Sequence, residues 1–178
     1  RHLHYTSPSP DFPIFKAMDY AYADQLVHGG KIRLYMNSYY RQIDDQAARD
    51  ALEGIGVVNC RGTEVKVQGL FPAYLWCTSQ ATLSPDEVGR KYDRDTVVGI
   101  EWPHKLAELL LEAACDLGSQ WSLTCRPVVY NKGVMCDLDP DDLDRVDTSE
   151  VYNFQKEAIF SHESEYRYAL SGPGGGGH

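Results

Sequence analysis

The sequence predicts one mixed α+β domain. Apolar runs of strand length, rich in β-branched and aromatic residues, are interleaved with amphipathic stretches of helical spacing along the chain. They amount to about three helices and about six or seven strands, with no internal repeat. A chain of 178 residues with 43% hydrophobic and 24% charged residues can bury one core.

The first elements are predicted as strand, helix and strand. Ile14–Met18 has the composition of a short strand, and Asp19 is placed to cap a helix over Tyr20–Val27. Two glycines end that helix, and Lys31–Met36 alternates like a second strand. The residues expected to face inward from the helix are Tyr22, Ala23, Leu26 and Val27.

The middle of the chain predicts further strands and one helix start. Asp44–Leu52 is polar and is expected to form a helix or an ordered loop. Val57–Val67 holds two short strand candidates, and Ala73–Ser79 is a stronger one that ends on hydroxyl residues. Ser84–Glu87 has the order of a capped helix start, with proline at the first helical position and acids in the first turn.

The last elements are the longest helix and three strands. Thr96–Trp102 is β-branched, and Trp121–Tyr130 and Phe160–Leu170 are further strand candidates. Pro103–Leu117 is the clearest helix, with Gly118 as its stop. The residues expected on the buried face of this helix are Leu106, Leu109, Leu110, Ala113 and Ala114.

The domain is assigned to residues 14–170, between two segments of different composition. Residues 1–13 hold three prolines and little periodicity, which predicts an extended arm. Residues 171–178 are rich in glycine and are interpreted as a flexible tail or a cloning remnant. Neither segment is expected to contribute to the core.

Charge and cysteine usage exclude several classes of function. Seventeen basic and 26 acidic residues give a net charge of −9, which argues against general binding to a nucleic-acid backbone. No apolar run approaches about 18 residues, so no membrane span is predicted. The five cysteines form no C-x-x-C pair and are interpreted as reduced thiols of a cytoplasmic protein.

Two carboxylates and a guanidinium alternate near the C-terminus. If Phe160 begins a strand, Glu163, Glu165 and Arg167 lie on one face. Two carboxylates on one strand face are costly unless a ligand or water satisfies them. Such a pair suits chemistry at a sugar, where one carboxylate stabilises an oxocarbenium-like centre and the other activates an acceptor. The alternative is an exposed edge strand whose charges pair in water.

Other candidate ligand contacts lie on strand ends and in the first quarter of the chain. Thr78 and Ser79 can hold a carboxylate or a ribose, or can simply satisfy the backbone of a turn. Tyr40 and Arg41 can stack on a flat ring and bind phosphate, although a tyrosine of the core or rim fits the pattern equally well. His4 can hydrogen-bond a ligand or lie free on the surface of the arm.

An acidic run near residue 140 invites a calcium interpretation, which its spacing rejects. The run Asp137–Asp147 lacks the glycine at loop position six, and Thr148 stands where a bidentate glutamate is needed. Asp139 as a helix cap before Pro140 explains the run better. No metal site is predicted.

The order of these pieces resembles a bacterial family of domains of unknown function. Its closing motif, K-x3-F-x2-E-x-E-[YF]-R, is matched here from Lys156 to Arg167. The earlier segments that carry the resemblance are Phe15-Lys16, Gly30–Leu34, Trp76–Ser79, Thr96–Glu101 and Val128–Tyr130.

The same plan is similar to the ADP-ribosyltransferases. The resemblance implies a split β-sandwich of mainly antiparallel sheets with about three flanking helices, which clamps NAD as substrate. Glu165 would contact the nicotinamide ribose, Glu163 would engage the acceptor, and Ser79 with Thr78 would support the ribose. The residue of the first strands that binds the substrate would be His4, Lys16 or Arg33. Arg167 is a further candidate for substrate binding.

The resemblance implies an NAD-consuming enzyme, of the kind found in bacterial toxins and phage-defence effectors. The acidic surface favours a protein acceptor over a nucleic acid, although Arg33, Arg41 and Arg49 form a local basic patch in the sequence. The alternative is a module without catalysis that binds a nucleotide or a protein partner. A metal-dependent nuclease is a third and weaker interpretation.

Overall fold

The computed structural model describes residues 2–4, 13–40, 54–68, 73–118, 121–130, 134–145 and 148–172. The fold is mixed α+β with mostly antiparallel sheets. The described strands are β1 His2–His4, β2 Ile14–Met18, β3 Tyr35–Met36, β4 Ile55–Cys60, β5 Thr63–Gln68, β6 Ala73–Ser79, β7 Thr96–Ile100, β8 Ser122–Pro127, β9 Val129–Tyr130, β10 Val134–Cys136, β11 Gln155–Lys156 and β12 Glu165–Ser171. The described α-helices are α1 Tyr20–Val27, α2 Asn37–Tyr40, α3 Pro85–Lys91, α4 Pro103–Leu117 and α5 Ser149–Phe154, with 3₁₀ helices at Pro140–Arg145 and Ala158–Glu163.

The main sheet has β12 at its centre. Its described order is β1-β8-β12-β6-β2-β7, with β3 also paired to β6. β12 is antiparallel to β6 and to β8, and among the described pairs of this sheet the β1–β8 pair alone is parallel. Because β12 has a partner on both sides, the interpretation of its charges as those of an exposed edge strand is wrong.

One face of β12 builds the core against α4. Tyr166, Tyr168 and Leu170 alternate on that face and pack with Leu110 and Ala114 of the helix. The Tyr168 hydroxyl donates a hydrogen bond to the carbonyl of Pro103 at 3.0 Å, which ties the start of α4 to the sheet. The opposite face of β12 carries Glu165 and Arg167 and points to the candidate site.

The helix bounds predicted for α1 and α4 are confirmed, but their buried faces differ from the prediction. In α4 the buried face is rotated by about one residue from the predicted face. Leu109 is 51% exposed there and Ala113 is exposed. In α1, Val27 is 59% exposed and Tyr22 is 38% exposed, although both were predicted to face inward. The side chains of α4 that are buried are Pro103, Ala107, Leu110, Leu111 and Ala114.

Helix starts agree with the prediction in one case and differ in another. Ser84 and Glu87 form the reciprocal capping box expected for α3. Asp19 stands at the cap position of α1, but its side chain makes no capping hydrogen bond. Its carboxylate lies 3.5 Å from the Arg94 guanidinium instead.

A three-stranded sheet, in the order β10-β4-β5, lies beside the main sheet. Arg61 and Gly62 make the tight turn between β4 and β5 with positive φ angles of 48° and 91°. The Gln155 side chain accepts a hydrogen bond from the Val57 amide and donates one to the Val57 carbonyl. These two bonds resemble those that a neighbouring strand would make to β4. Gln155 therefore attaches the small sheet to the segment that carries Lys156.

Several strand predictions are wrong in extent, and the predicted strand Trp121–Tyr130 is divided into β8 and β9. Residues 31–34 have no regular secondary structure, and of the predicted strand Tyr35–Met36 alone pairs with β6. Residues 160–163 belong to a 3₁₀ helix, and β12 begins at Glu165. Ser164 between them has a left-handed backbone with φ 45°, which turns the chain into the strand. Asp44–Leu52 lies outside the described residues.

Candidate active site

Three strands of the main sheet meet at one end and bring the candidate residues together. Ser79 at the end of β6 is in register with Phe15 of β2 on one side and with Glu165 of β12 on the other. Lys16 follows Phe15 and points into the same space. The cavity there has a volume of about 260 Å³ and is lined by Phe15, Lys16, Ala17, Tyr35, Tyr39, Tyr40, Cys77, Thr78, Ser79, Tyr92, Arg94, Lys156, Glu163, Glu165 and Arg167.

Glu165 is held at the floor of this cavity by Arg167. The two residues lie two positions apart on one face of β12, and both are buried. The Arg167 guanidinium donates from Nε to Glu165 Oε1 and from Nη2 to Glu165 Oε2, the latter at 3.2 Å. Its Nη1 donates to the carbonyl of Asn153 at 2.7 Å. This two-point contact fixes the orientation of the Glu165 carboxylate.

Lys156 on β11 joins the two carboxylates. Its Nζ lies 2.7 Å from Glu163 Oε2 and 3.0 Å from Glu165 Oε2, and its side chain is only 8% exposed. The ammonium also lies 5.2 Å from the centre of the Phe160 ring. The sequence shows Lys156 and Phe160 in the closing motif, but it does not place Lys156 in the site, because the contact depends on the β9–β11 pairing.

Glu163 reaches the cavity by a route that the strand prediction missed. It is the last residue of the 3₁₀ helix and is buried. The turn at Ser164 brings its carboxylate to Lys156, next to Glu165, although Glu163 itself is not in the strand. The amide of Gln80 donates to the Ser164 carbonyl at 2.8 Å and holds that turn against the end of β6.

The two carboxyl groups have pKa values shifted in opposite directions. Burial alone would raise the pKa of Glu165, but the charges of Arg167 and Lys156 outweigh it and lower that pKa well below its usual range. Burial raises the pKa of Glu163, the charge of Glu165 raises it further, and Lys156 offsets only part of the effect. A pair with such a split has one group suited to stay ionised and one suited to exchange a proton.

Hydroxyl groups surround the carboxylates. Thr78 is buried and donates to the Tyr166 carbonyl at 2.8 Å, so it secures the β6–β12 pairing. The Glu165 amide donates to the Tyr130 hydroxyl at 2.8 Å. Burial raises the pKa values of Tyr92 and Tyr130, with further contributions from the two carboxylates, so both phenols stay neutral.

The opposite wall of the cavity is aromatic. Tyr35 and Tyr39 stack with their ring centres 4.6 Å apart, and Tyr40 meets Tyr39 edge to face at 5.8 Å. Burial raises the pKa of Tyr40, whose hydroxyl also bonds to Cys77. Such a wall can pack against a flat ring.

Lys16 is half-buried, and burial lowers its pKa. Among the described residues, no carboxylate lies within ion-pair distance of its ammonium. Its charge therefore faces the cavity and is available to an anionic ligand.

Of the remaining candidate residues, the structure places Arg33 outside this cavity. Arg33 lines a neighbouring, wider cavity and contacts Tyr22. His4 is on β1, opposite Thr124 of β8, which places its backbone two strands away from β12. Arg41 lies outside the described residues.

The comparisons with known proteins give no relative. No family model, no curated protein and no solved structure matches this chain. The described helices include none that is both long enough and apolar enough to cross a membrane. Within the described ranges, no group of three or more His, Cys, Asp or Glu side chains is arranged to hold a metal ion.

Proposed function

We propose that this chain is an ADP-ribosyltransferase-like enzyme that cleaves the bond between nicotinamide and ribose in NAD. The observation that carries the proposal is the pair Glu163–Glu165 in one cavity, with opposite pKa shifts imposed by burial, Lys156 and Arg167. Glycosyl chemistry at a cationic leaving group needs no acid for departure but needs a fixed anion beside the sugar. Glu165 supplies that anion.

The proposed reaction has two linked events. The C–N bond to nicotinamide breaks, and its electron pair leaves with the ring, so neutral nicotinamide departs from the oxocarbenium-like ribose. Glu165 stabilises the positive charge at the anomeric carbon. The acceptor then bonds to that carbon, and Glu163 takes its proton, which the raised pKa of Glu163 favours.

The rest of the cavity fits the parts of this substrate. The tyrosine wall can pack against the nicotinamide ring, and Lys16 can meet the first phosphate. Ser79, opposite Glu165 in the register, can bond a ribose hydroxyl. The small sheet attached through Gln155 supports a split β-sandwich as the wider fold. The net charge of −9 favours a protein or water as acceptor over a nucleic acid.

The test is nicotinamide release from NAD by the pure protein, followed by liquid chromatography. Wild type is expected to release nicotinamide, and Glu165→Gln is expected to be slower by about a hundredfold or more, because it loses the charge that stabilises the transition state. Glu157→Gln is the matched control, since Glu157 is exposed and lies outside the cavity. Circular dichroism checks that Glu165→Gln is folded.

Release that is absent in wild type, or equal in Glu165→Gln, contradicts the proposal. If NAD binds to wild type without any release, the alternative of a nucleotide-binding module is the better account. One observation favours that alternative: both oxygens of Glu165 already have cationic partners inside the protein.

A further inference from the structure

A second and wider cavity opens from the candidate active site. Its volume is about 780 Å³, and it runs along α1 and residues 30–35. The two cavities share Lys16, Ala17, Tyr35, Tyr40 and Arg94. A ligand can therefore extend from one into the other past Lys16 and Arg94.

The wider cavity has cationic walls in a protein that is acidic as a whole. Among the described residues, Lys16, Lys31, Arg33 and Arg94 line it, with Asp19 as the one carboxylate. Asp19 lies 3.5 Å from Arg94 and offsets part of that one charge. A cavity with this charge attracts a ligand that carries several negative charges.

Arg33 is held in place without a carboxylate partner among the described residues. Its guanidinium lies 4.8 Å from the centre of the Tyr22 ring and donates to the Tyr22 hydroxyl at 3.0 Å. Arg33 lines only the wider cavity, and Tyr35, two residues later, lines both. The Arg33 side chain also hydrogen-bonds the side chain of Tyr35, so its guanidinium lies on the wider-cavity side of the junction.

We infer that the wider cavity binds the adenosine half of a dinucleotide that carries a third phosphate, a phosphomonoester on the adenosine ribose. The diphosphate lies at the junction on Lys16 and Arg94, and the phosphomonoester lies on Arg33 and Lys31. This inference rests on the proposed function for the identity of the ligand and adds its substrate class, the phosphorylated form of the nicotinamide dinucleotide.

Charge matching supports a third phosphate. Asp19 offsets part of the charge of Arg94, so the two junction cations offset no more than the two negative charges of a diphosphate, and Arg33 and Lys31 remain on the wider-cavity side. A phosphomonoester carries about −1.5 to −2 at neutral pH, which these two cations match. A guanidinium already oriented by stacking on tyrosine loses little freedom when it binds a phosphate at two points.

The test compares two ligands that contain no nicotinamide and cannot be cleaved by the proposed reaction. Adenosine 2′,5′-bisphosphate and adenosine 5′-monophosphate are titrated by calorimetry. We expect wild type to bind the bisphosphate about tenfold more tightly or better. The double variant Lys31→Gln/Arg33→Gln is expected to reduce the affinity for the bisphosphate to that for the monophosphate and to leave the monophosphate unchanged.

Arg61→Gln is the matched control, because this exposed arginine lines neither cavity. Its ratio of affinities is expected to equal that of wild type. Equal binding of the two ligands by wild type, no binding of the bisphosphate, or a preference that survives in the double variant Lys31→Gln/Arg33→Gln overturns the inference. None of these results bears on nicotinamide release, which decides the proposed function separately.

Discussion

Two acidic regions of this protein differ in what surrounds their charges. Glu163 and Glu165 are buried with Lys156 and Arg167. Asp137 and Asp139 lie on the surface beside Arg61. Buried charges that lose a partner remain uncompensated, whereas surface charges regain water. The number of acids therefore says little about function, and their burial and partners say much more.

The largest expected effect is on Arg167→Met. Removing the guanidinium leaves Glu165 buried with Lys156 as its remaining cation, and the Asn153 carbonyl loses its donor. We expect the free energy of unfolding to fall by about 3–5 kcal/mol, as for other buried pairs that lose one member. Urea unfolding at pH 7 measures it. A loss below about 1 kcal/mol would contradict the account.

The next largest effect is expected on how the free energy of unfolding depends on pH. The folded-state pKa of Glu165 is lowered from 4.5, so its ionisation stabilises the fold above that pH, and the contribution is lost as pH falls through the lowered value. Glu165→Gln lacks this contribution. The difference in free energy of unfolding between wild type and Glu165→Gln is therefore expected to shrink from pH 6 to pH 3. A difference that grows on acidification would have the wrong sign.

A smaller effect is expected from the lysine that lies between the two carboxylates. Lys156→Met removes a cation that lowers the pKa of Glu163, so that pKa is expected to rise. The acid limb of the pH profile for attack of the acceptor, followed as ADP-ribose formed with water as the acceptor, should then move upward by about one pH unit or more. Lys105→Met, at an exposed ion pair on α4, is the control. An acid limb that is unchanged, or that moves to lower pH, would show that Lys156 does not lower the pKa of Glu163, the proposed base.

The smallest effect is expected on the surface. Arg61→Met removes contacts to Asp137 and Asp139, all of them more than half exposed. We expect a change in the free energy of unfolding below about 1 kcal/mol, which decreases further as salt is added. Urea unfolding at low and high salt measures it. A loss as large as that of Arg167→Met would remove the distinction between the two regions.

The sequence predicted those elements whose signals are local. Ala73–Ser79 and Pro103–Leu117 have the predicted bounds, since residue composition, proline at a helix start and glycine after its end act within a few residues. The 3₁₀ helix before Glu165 was missed, because its path depends on Gln80 and on a left-handed Ser164. No local pattern records such distant partners.

The site shows the same division. The alternation of Glu165 and Arg167 on one face follows from strand geometry and could be predicted. The position of Lys156 between the carboxylates could not, since it requires β11 to pair with β9 and the small sheet to attach through Gln155. The choice of Lys16 rather than His4 for the cavity depends on strand order, which the sequence leaves open.

The most direct test of the central claim is a crystal structure with an NAD analogue whose glycosidic bond cannot be cleaved. The account predicts that the anomeric carbon of the nicotinamide ribose lies about 3–3.5 Å from the Glu165 carboxylate, with Glu163 facing the open side of that carbon. An analogue that binds outside the cavity, or whose anomeric carbon faces away from both carboxylates, would contradict it.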